Sequence, residues 1–130
     1  MRDPTRRAAA GIVAATCIAI LVGCATAPER LVAPIAVFGV ELAPYAAIEQ
    51  CMALEAGERV GYRFDAKLPV AFNVHFHDGN AVILPVTRDR TTEESGDFSA
   101  DRSQVYCLMW EAGAEGSVID YRITPWQRQR

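Results

Sequence analysis

Apolar positions along the 130 residues form one continuous block near the start and then a series of short alternating runs. Ala8 to Gly23 is the block. After Pro34 the segment Ile35-Ala36-Val37-Phe38-Gly39-Val40-Glu41-Leu42 is rich in β-branched and aromatic residues and stops before Pro44, which predicts a first strand. Residues 48–54 predict a second, although residues 43–52 also fit a short helix. Gly57 and Glu58 then turn the chain into residues 59–64, where Val60, Tyr62 and Phe64 alternate with polar or small residues. The same period of two puts Val70, Phe72, Val74 and Phe76 on one side of a strand opened by Pro69, and Asn73, His75 and His77 on the other.

Asp78-Gly79-Asn80 accepts positive φ and predicts a tight hairpin into residues 81–86, where Pro85 calls for an edge position or a bulge. Residues 88–97 are polar and charged and read as a solvated loop. Residues 105–110 are apolar on both faces, as in a covered central strand, and residues 118–123 alternate until Pro125 ends them. The chain after residue 34 carries no convincing stripe of period 3.6 and helical length. Short strands separated by frequent turns predict an antiparallel, jelly-roll-like β-sandwich.

The apolar block changes the expected location. Arg2, Arg6 and Arg7 precede it, and its 16 residues fall short of the roughly 20 that cross a bilayer. Its end, Leu21-Val22-Gly23-Cys24, resembles the lipobox of bacterial lipoproteins. That resemblance implies a signal helix removed before Cys24, a lipid on Cys24, and membrane attachment through the acyl chains. Ala25 is not the aspartate that marks inner-membrane retention in those families, so the periplasmic face of the outer membrane is expected. The domain plan is then a signal peptide at 1–23, a lipidated tether at 24–34, a sandwich at 35–125 and a tail at 126–130.

Losing Arg2, Asp3, Arg6 and Arg7 takes the formal charge from −3 to −5, a surface suited neither to nucleic acid nor to an anionic bilayer face. Of the four cysteines, Cys17 leaves with the signal and Cys24 is capped. Cys51 and Cys107 remain, and two thiols in an oxidising compartment most often pair. Neither sits in a C-x-x-C motif or beside a histidine, which weakens a reactive or metal-binding role.

From Phe38 to Ile123 the order of segments resembles the GOLD domain of the emp24/p24 family. The match runs through Gln50-Cys51-Met52, Gly57 to Phe64, Val70 to Gly79, Gly96-Asp97-Phe98, Val105 to Trp110 and Val118 to Ile123. The resemblance implies a jelly-roll-like sandwich with the two corresponding cysteines joined. The eukaryotic members have a coiled coil and a C-terminal membrane helix, whereas this chain is expected to be anchored at its other end, so their cargo-receptor role does not transfer.

His75 and His77, the only histidines, project from one face about 7 Å apart at Cα, a spacing used for two ligands of Zn²⁺ or Cu²⁺. A third ligand would come from elsewhere, with Asn73, Asp78, Met52, Met109, Glu93 and Glu94 as the candidates. The alternative is that both are polar positions on an amphipathic strand. Ser99 or Ser103 with His77 and Asp101 makes a paper triad without a nucleophile elbow, and Trp126 could stack on a ligand whereas Trp110 belongs in the core. The function expected from the sequence is a non-enzymatic, lipid-anchored envelope module without a resident cofactor. It binds an envelope protein or small ligand through one sheet face, and copper or zinc binding at His75 and His77 is the alternative.

Overall fold

The computed structural model describes residues 27–126; the segment expected to be a signal, Cys24 and the last four residues lie outside them. Six antiparallel strands follow in chain order: β1 (Ile35–Leu42), β2 (Ala47–Leu54), β3 (Arg59–Asp78), β4 (Ala81–Ser99), β5 (Gln104–Ala112) and β6 (Ser117–Pro125). The spatial order is β1-β6-β3-β5-β2, with β4 along the other side of β3.

One strand therefore serves two layers. The first half of β3 pairs with β6 from Val60↔Pro125 to Ala66↔Ile119, and its second half pairs with β5 from Val70↔Ala112 to His75↔Cys107. β4 follows β3 through both halves and bends with it. The first layer is β1, β6 and the halves of β3 and β4 that meet at Arg59–Asp65; the second is β2, β5 and the halves that meet at Val70–Asp78.

The bend falls at Lys67-Leu68-Pro69, where the β3–β4 register shifts. Pro69 has no N–H to offer a ladder. Ser117 replaces the missing pairing: its hydroxyl accepts from Leu68 N–H and donates to Leu68 C=O.

Folding β3 back brings its own aromatic positions face to face. Phe64 from the first layer meets Phe72 from the second at 5.0 Å between ring centroids, and Trp110 of β5 stacks on Tyr121 of β6 at 4.5 Å. Val60, Phe64, Val70, Phe72, Val74, Leu108, Trp110, Ile119 and Ile123 are all shut off from solvent between the layers. The alternation read from residues 60–64, 70–76 and 118–123 marks this inward face.

Four expectations need correction. Residues 43–52 form no helix, and β2 runs from Ala47 because it pairs with β5 along eight register positions. Residues 59–64 and 70–76 belong to one bent strand. Residues 88–97 are not a loop: they continue β4, and their polarity reflects an edge strand whose outer face and free edge meet water. The tether expectation also fails at its end. Glu29 C=O accepts from Ala53 N–H, Arg30 bridges β2 and pairs with Glu55 and Glu58, and Leu31 packs on the core.

Other expectations hold. Gly79 takes φ 59° in the hairpin, the β3–β4 register shifts beside Pro85, and β5 lies covered between β3 and β2.

Candidate functional site

Two outward faces hold the chemistry. The first lies on the outside of the β1, β6, β3 and β4 layer, where register sets side chains in rows. Thr124, Gly61 and Asp97 form one row across β6, β3 and β4; Arg122, Arg63 and Ser95 form the next; Asp120, Asp65 and Glu93 form the third. Arginine thus stands directly opposite arginine and carboxylate opposite carboxylate, an arrangement that works against the sheet.

Relief comes from one contact along β3 and one diagonal contact between β3 and β4. Arg63 Nε lies 3.6 Å from Asp65 Oδ2 in a solvent-exposed pair, and Asp97 is held by Arg59 at 2.7 Å. Among the described residues Arg122 has no ion-pair partner.

Two aromatic rings flank the rows. β1 bulges between Val37 and Val40, and Gly39 takes φ 67°, which few side-chain-bearing residues accept. The Gly39 N–H donates to Asp120 Oδ1 at 2.6 Å, and the extra residue leaves Phe38 pointing outward, 70% exposed. At the opposite side Trp126 is 58% exposed, with the Arg59 guanidinium 4.5 Å from its ring centre.

Between the rings run two shallow troughs. One, of about 380 Å³, is lined by Gly61, Arg63, Asp97, Arg122 and Thr124; the other, of about 400 Å³, by Phe38, Arg63, Asp65, Asp120 and Arg122. Arg63 and Arg122 line both. Gly61 floors the first, since a Cβ there would stand 3.2 Å from Asp97 Oδ1.

The second face carries the histidines. His75 and His77 do project together from β3, their ring centroids 5.4 Å apart. His75 is only 4% exposed; its Nδ1–H donates to Asn73 Oδ1 at 2.8 Å and its Nε2 lies 3.5 Å from Glu49 Oε1 of β2. Glu49 is the acid that sequence spacing missed, because only the β2–β5–β3 register brings it across. Of the other candidate ligands, Asn73 and Met109 share this face, Met109 standing between Glu49 and Asn73 in register; Met52 is in the core, Glu93 stands opposite Asp65 on the first face, Glu94 pairs with Arg88 and accepts from the Tyr62 hydroxyl, and Asp78 faces Arg102.

Cys51 and Cys107 lie on this face, opposite each other on β2 and β5, and are joined as a disulfide. The Glu49, Cys51 and Cys107 side chains converge, but bonded sulfurs offer no thiolate to a metal. The donors left are His75 Nε2 and the Glu49 carboxylate, 3.5 Å apart, with the His77 ring beside His75; these are nitrogen and oxygen donors of the kind Zn²⁺ or Cu²⁺ takes, but among the described residues the three do not converge on one point.

No triad forms among the named residues. Ser103 Oγ donates to Glu55 Oε2 at 2.7 Å, and Asp101 receives the Tyr106 hydroxyl at 3.1 Å. Trp110 is fully buried, as its strand pattern predicts.

No protein-family model matches the chain and no curated protein is similar to it in sequence. Solved structures share the fold. A periplasmic inhibitor of g-type lysozyme from Aeromonas hydrophila is 13% identical, with a TM-score of 0.53 over 72% of this chain and 87% of that one. The mitogen from Yersinia pseudotuberculosis is 8% identical, with a TM-score of 0.54 over 75% of this chain and 89% of that one. At these identities the likeness establishes an all-β, jelly-roll-like sandwich and carries no site residue across.

Proposed function

We propose that this chain is a non-enzymatic, lipid-anchored binding module of the bacterial envelope, with a GOLD-like sandwich at 35–125 that presents the outer face of its first layer to a ligand. The observation that carries the reading is the Arg63–Arg122 pair. Two like charges directly opposite each other, with Arg122 lacking an ion-pair partner among the described residues, are unfavourable for the fold alone and suit an outside partner. The A. hydrophila inhibitor supplies a case of this fold acting by binding in the periplasm.

Residues 1–23 act as the signal peptide in this reading, and Cys24 bears the lipid that holds the module on the periplasmic face of the outer membrane. Residues 24–34 are the tether in this reading, with Glu29 to Leu31 docked on β2 and the core; residues 126–130 are the tail. Cys24→Ser should abolish lipid labelling and move the chain from the membrane to the soluble fraction. Hydrogen exchange on that soluble variant, with and without envelope extract, should show protection on β1, β6 and the first half of β3. Protection elsewhere alone, or none, would sink the face assignment.

A second reading is favoured by one distance, His75 Nε2 to Glu49 Oε1. Asn73 fixes the His75 ring through Nδ1, as outer-shell partners do for metal-bound histidines. Zn²⁺ or Cu²⁺ would then be held by His75 and Glu49, with the His77 ring turning in from beside His75 as a third ligand. Titration of the Cys24→Ser protein with each ion should give sub-micromolar binding that His77→Ala and Glu49→Gln abolish; unaltered binding in both variants, or none in the parent, removes this reading.

A further inference from the structure

Building on the proposed binding face, we propose that the trough shared by Arg63 and Arg122 takes a carboxylated saccharide, a sugar chain of the uronic-acid kind. Three properties of the face select that chemistry. The first is charge. Arg122 and Arg63 stand side by side, the former without an ion-pair partner among the described residues and the latter only loosely paired at 3.6 Å, so an anion is called for. A carboxylate is the planar group that a guanidinium pair grips with parallel hydrogen bonds.

The second is the limit on that charge. The next row down is wholly acidic, with Asp120, Asp65 and Glu93 across three strands. A densely charged chain such as nucleic acid would lay phosphates against these acids. A saccharide with one carboxylate per ring presents neutral hydroxyls there instead, and hydroxyls donate to Asp65 and Asp120 and exchange bonds with Thr124 and Ser95.

The third is shape. The two open troughs adjoin at Arg63 and Arg122 and together reach across four strands, about 14 Å at ordinary strand spacing, which suits an extended chain better than a compact ion. Phe38 closes one side with a bare ring face. It is turned out by the Gly39 bulge, and that bulge is fixed by the 2.6 Å bond to Asp120, a residue of the same trough. A sugar ring has an apolar C–H face to lay on it.

The test uses the full chain carrying Cys24→Ser, titrated with trigalacturonate, its methyl ester and maltotriose. Trigalacturonate should bind, and the ester and the neutral sugar at least about tenfold more weakly. Arg122→Gln should weaken trigalacturonate about tenfold or more and Phe38→Ala by a similar factor, while Val82→Ala, exposed at the β3–β4 hairpin, leaves it unchanged. Phe38 and Arg122 are surface residues, and a near-ultraviolet spectrum reporting the Trp110–Tyr121 stack verifies that each variant is folded. Equal binding of acid, ester and neutral sugar, absence of trigalacturonate binding, or indifference to Arg122→Gln overturns the carboxylate assignment. If trigalacturonate fails while envelope extract still protects β1 and β6, the ligand class alone is wrong; if that protection is also missing, the binding face is wrong as well.

Discussion

The hydroxyl of Ser117 closes a two-way bond with the backbone of Leu68, accepting from its N–H at 3.1 Å and donating to its C=O at 2.8 Å. This side chain from the start of β6 supplies at the corner of β3 what no strand partner supplies, and the corner is what turns one sheet into two layers. Ser117→Ala leaves both Leu68 groups without it in a partly buried place. The expected loss is about 2 kcal/mol of unfolding free energy, read as a lower urea midpoint. Ser117→Thr keeps the hydroxyl and should recover part of that loss.

The Cys51–Cys107 bond joins two strands that already pair along eight register positions, and it closes a loop with a sequence separation of 56. Reduction should therefore not part the strands. It should remove up to about 4 kcal/mol by the chain-entropy estimate while the folded spectrum persists. Urea unfolding with and without a reductant measures the difference, and a Cys51→Ala, Cys107→Ala double variant should match the reduced protein within about 1 kcal/mol.

Much of this architecture is legible because burial on one face imposes a period of two. Val70, Phe72, Val74 and Phe76 announce the inward face, and His75 and His77 share the opposite one as alternation requires, although His75 is covered there and only His77 is exposed. The pairing of Cys51 with Cys107 follows from counting thiols. Residues 88–97 escaped for a physical reason: an edge strand is hydrogen-bonded by its neighbour, β3, and needs little apolar surface of its own. The bend at Leu68 escaped because Pro69 signals a break between strands as readily as a corner within one. The proposed binding face could not be read at all. Arg63 and Arg122 are 59 positions apart in the chain, and only the β3–β6 register sets them opposite each other. Glu49 reaches His75 by the same kind of cross-strand placement.

Three tyrosine hydroxyls titrate above the usual 10.0. Burial is the leading cause for Tyr62, Tyr106 and Tyr121, reinforced by the Glu94 charge at Tyr62 and by the hydrogen bond to Asp101 at Tyr106. In the folded chain these phenols keep protons that the unfolded chain has released, so their contribution is complete below the ordinary value and is lost as pH rises through the raised ones. Unfolding free energy should fall with increasing pH above about 10, and Tyr121→Phe should flatten the fall. Urea midpoints measured on either side of that value test this, with absorbance at the phenolate band following the ionisation.

The Arg63–Arg122 pair separates a binding role from a structural one by the sign of its effect on stability. If the arginines served the fold, replacing one would weaken it. Their register places like charges opposite each other, and the only contact near ion-pair distance, Arg63 to Asp65, is exposed on both sides and worth little. Arg122→Gln should therefore leave the unfolding free energy unchanged or raise it by up to about 0.5 kcal/mol, with the gain shrinking as salt screens the repulsion. The same substitution is expected to weaken trigalacturonate binding. A variant at least as stable as the parent but unable to hold the ligand would mark Arg122 as a position kept at the expense of the sheet, whereas a loss of more than about 1 kcal/mol would return it to a structural role.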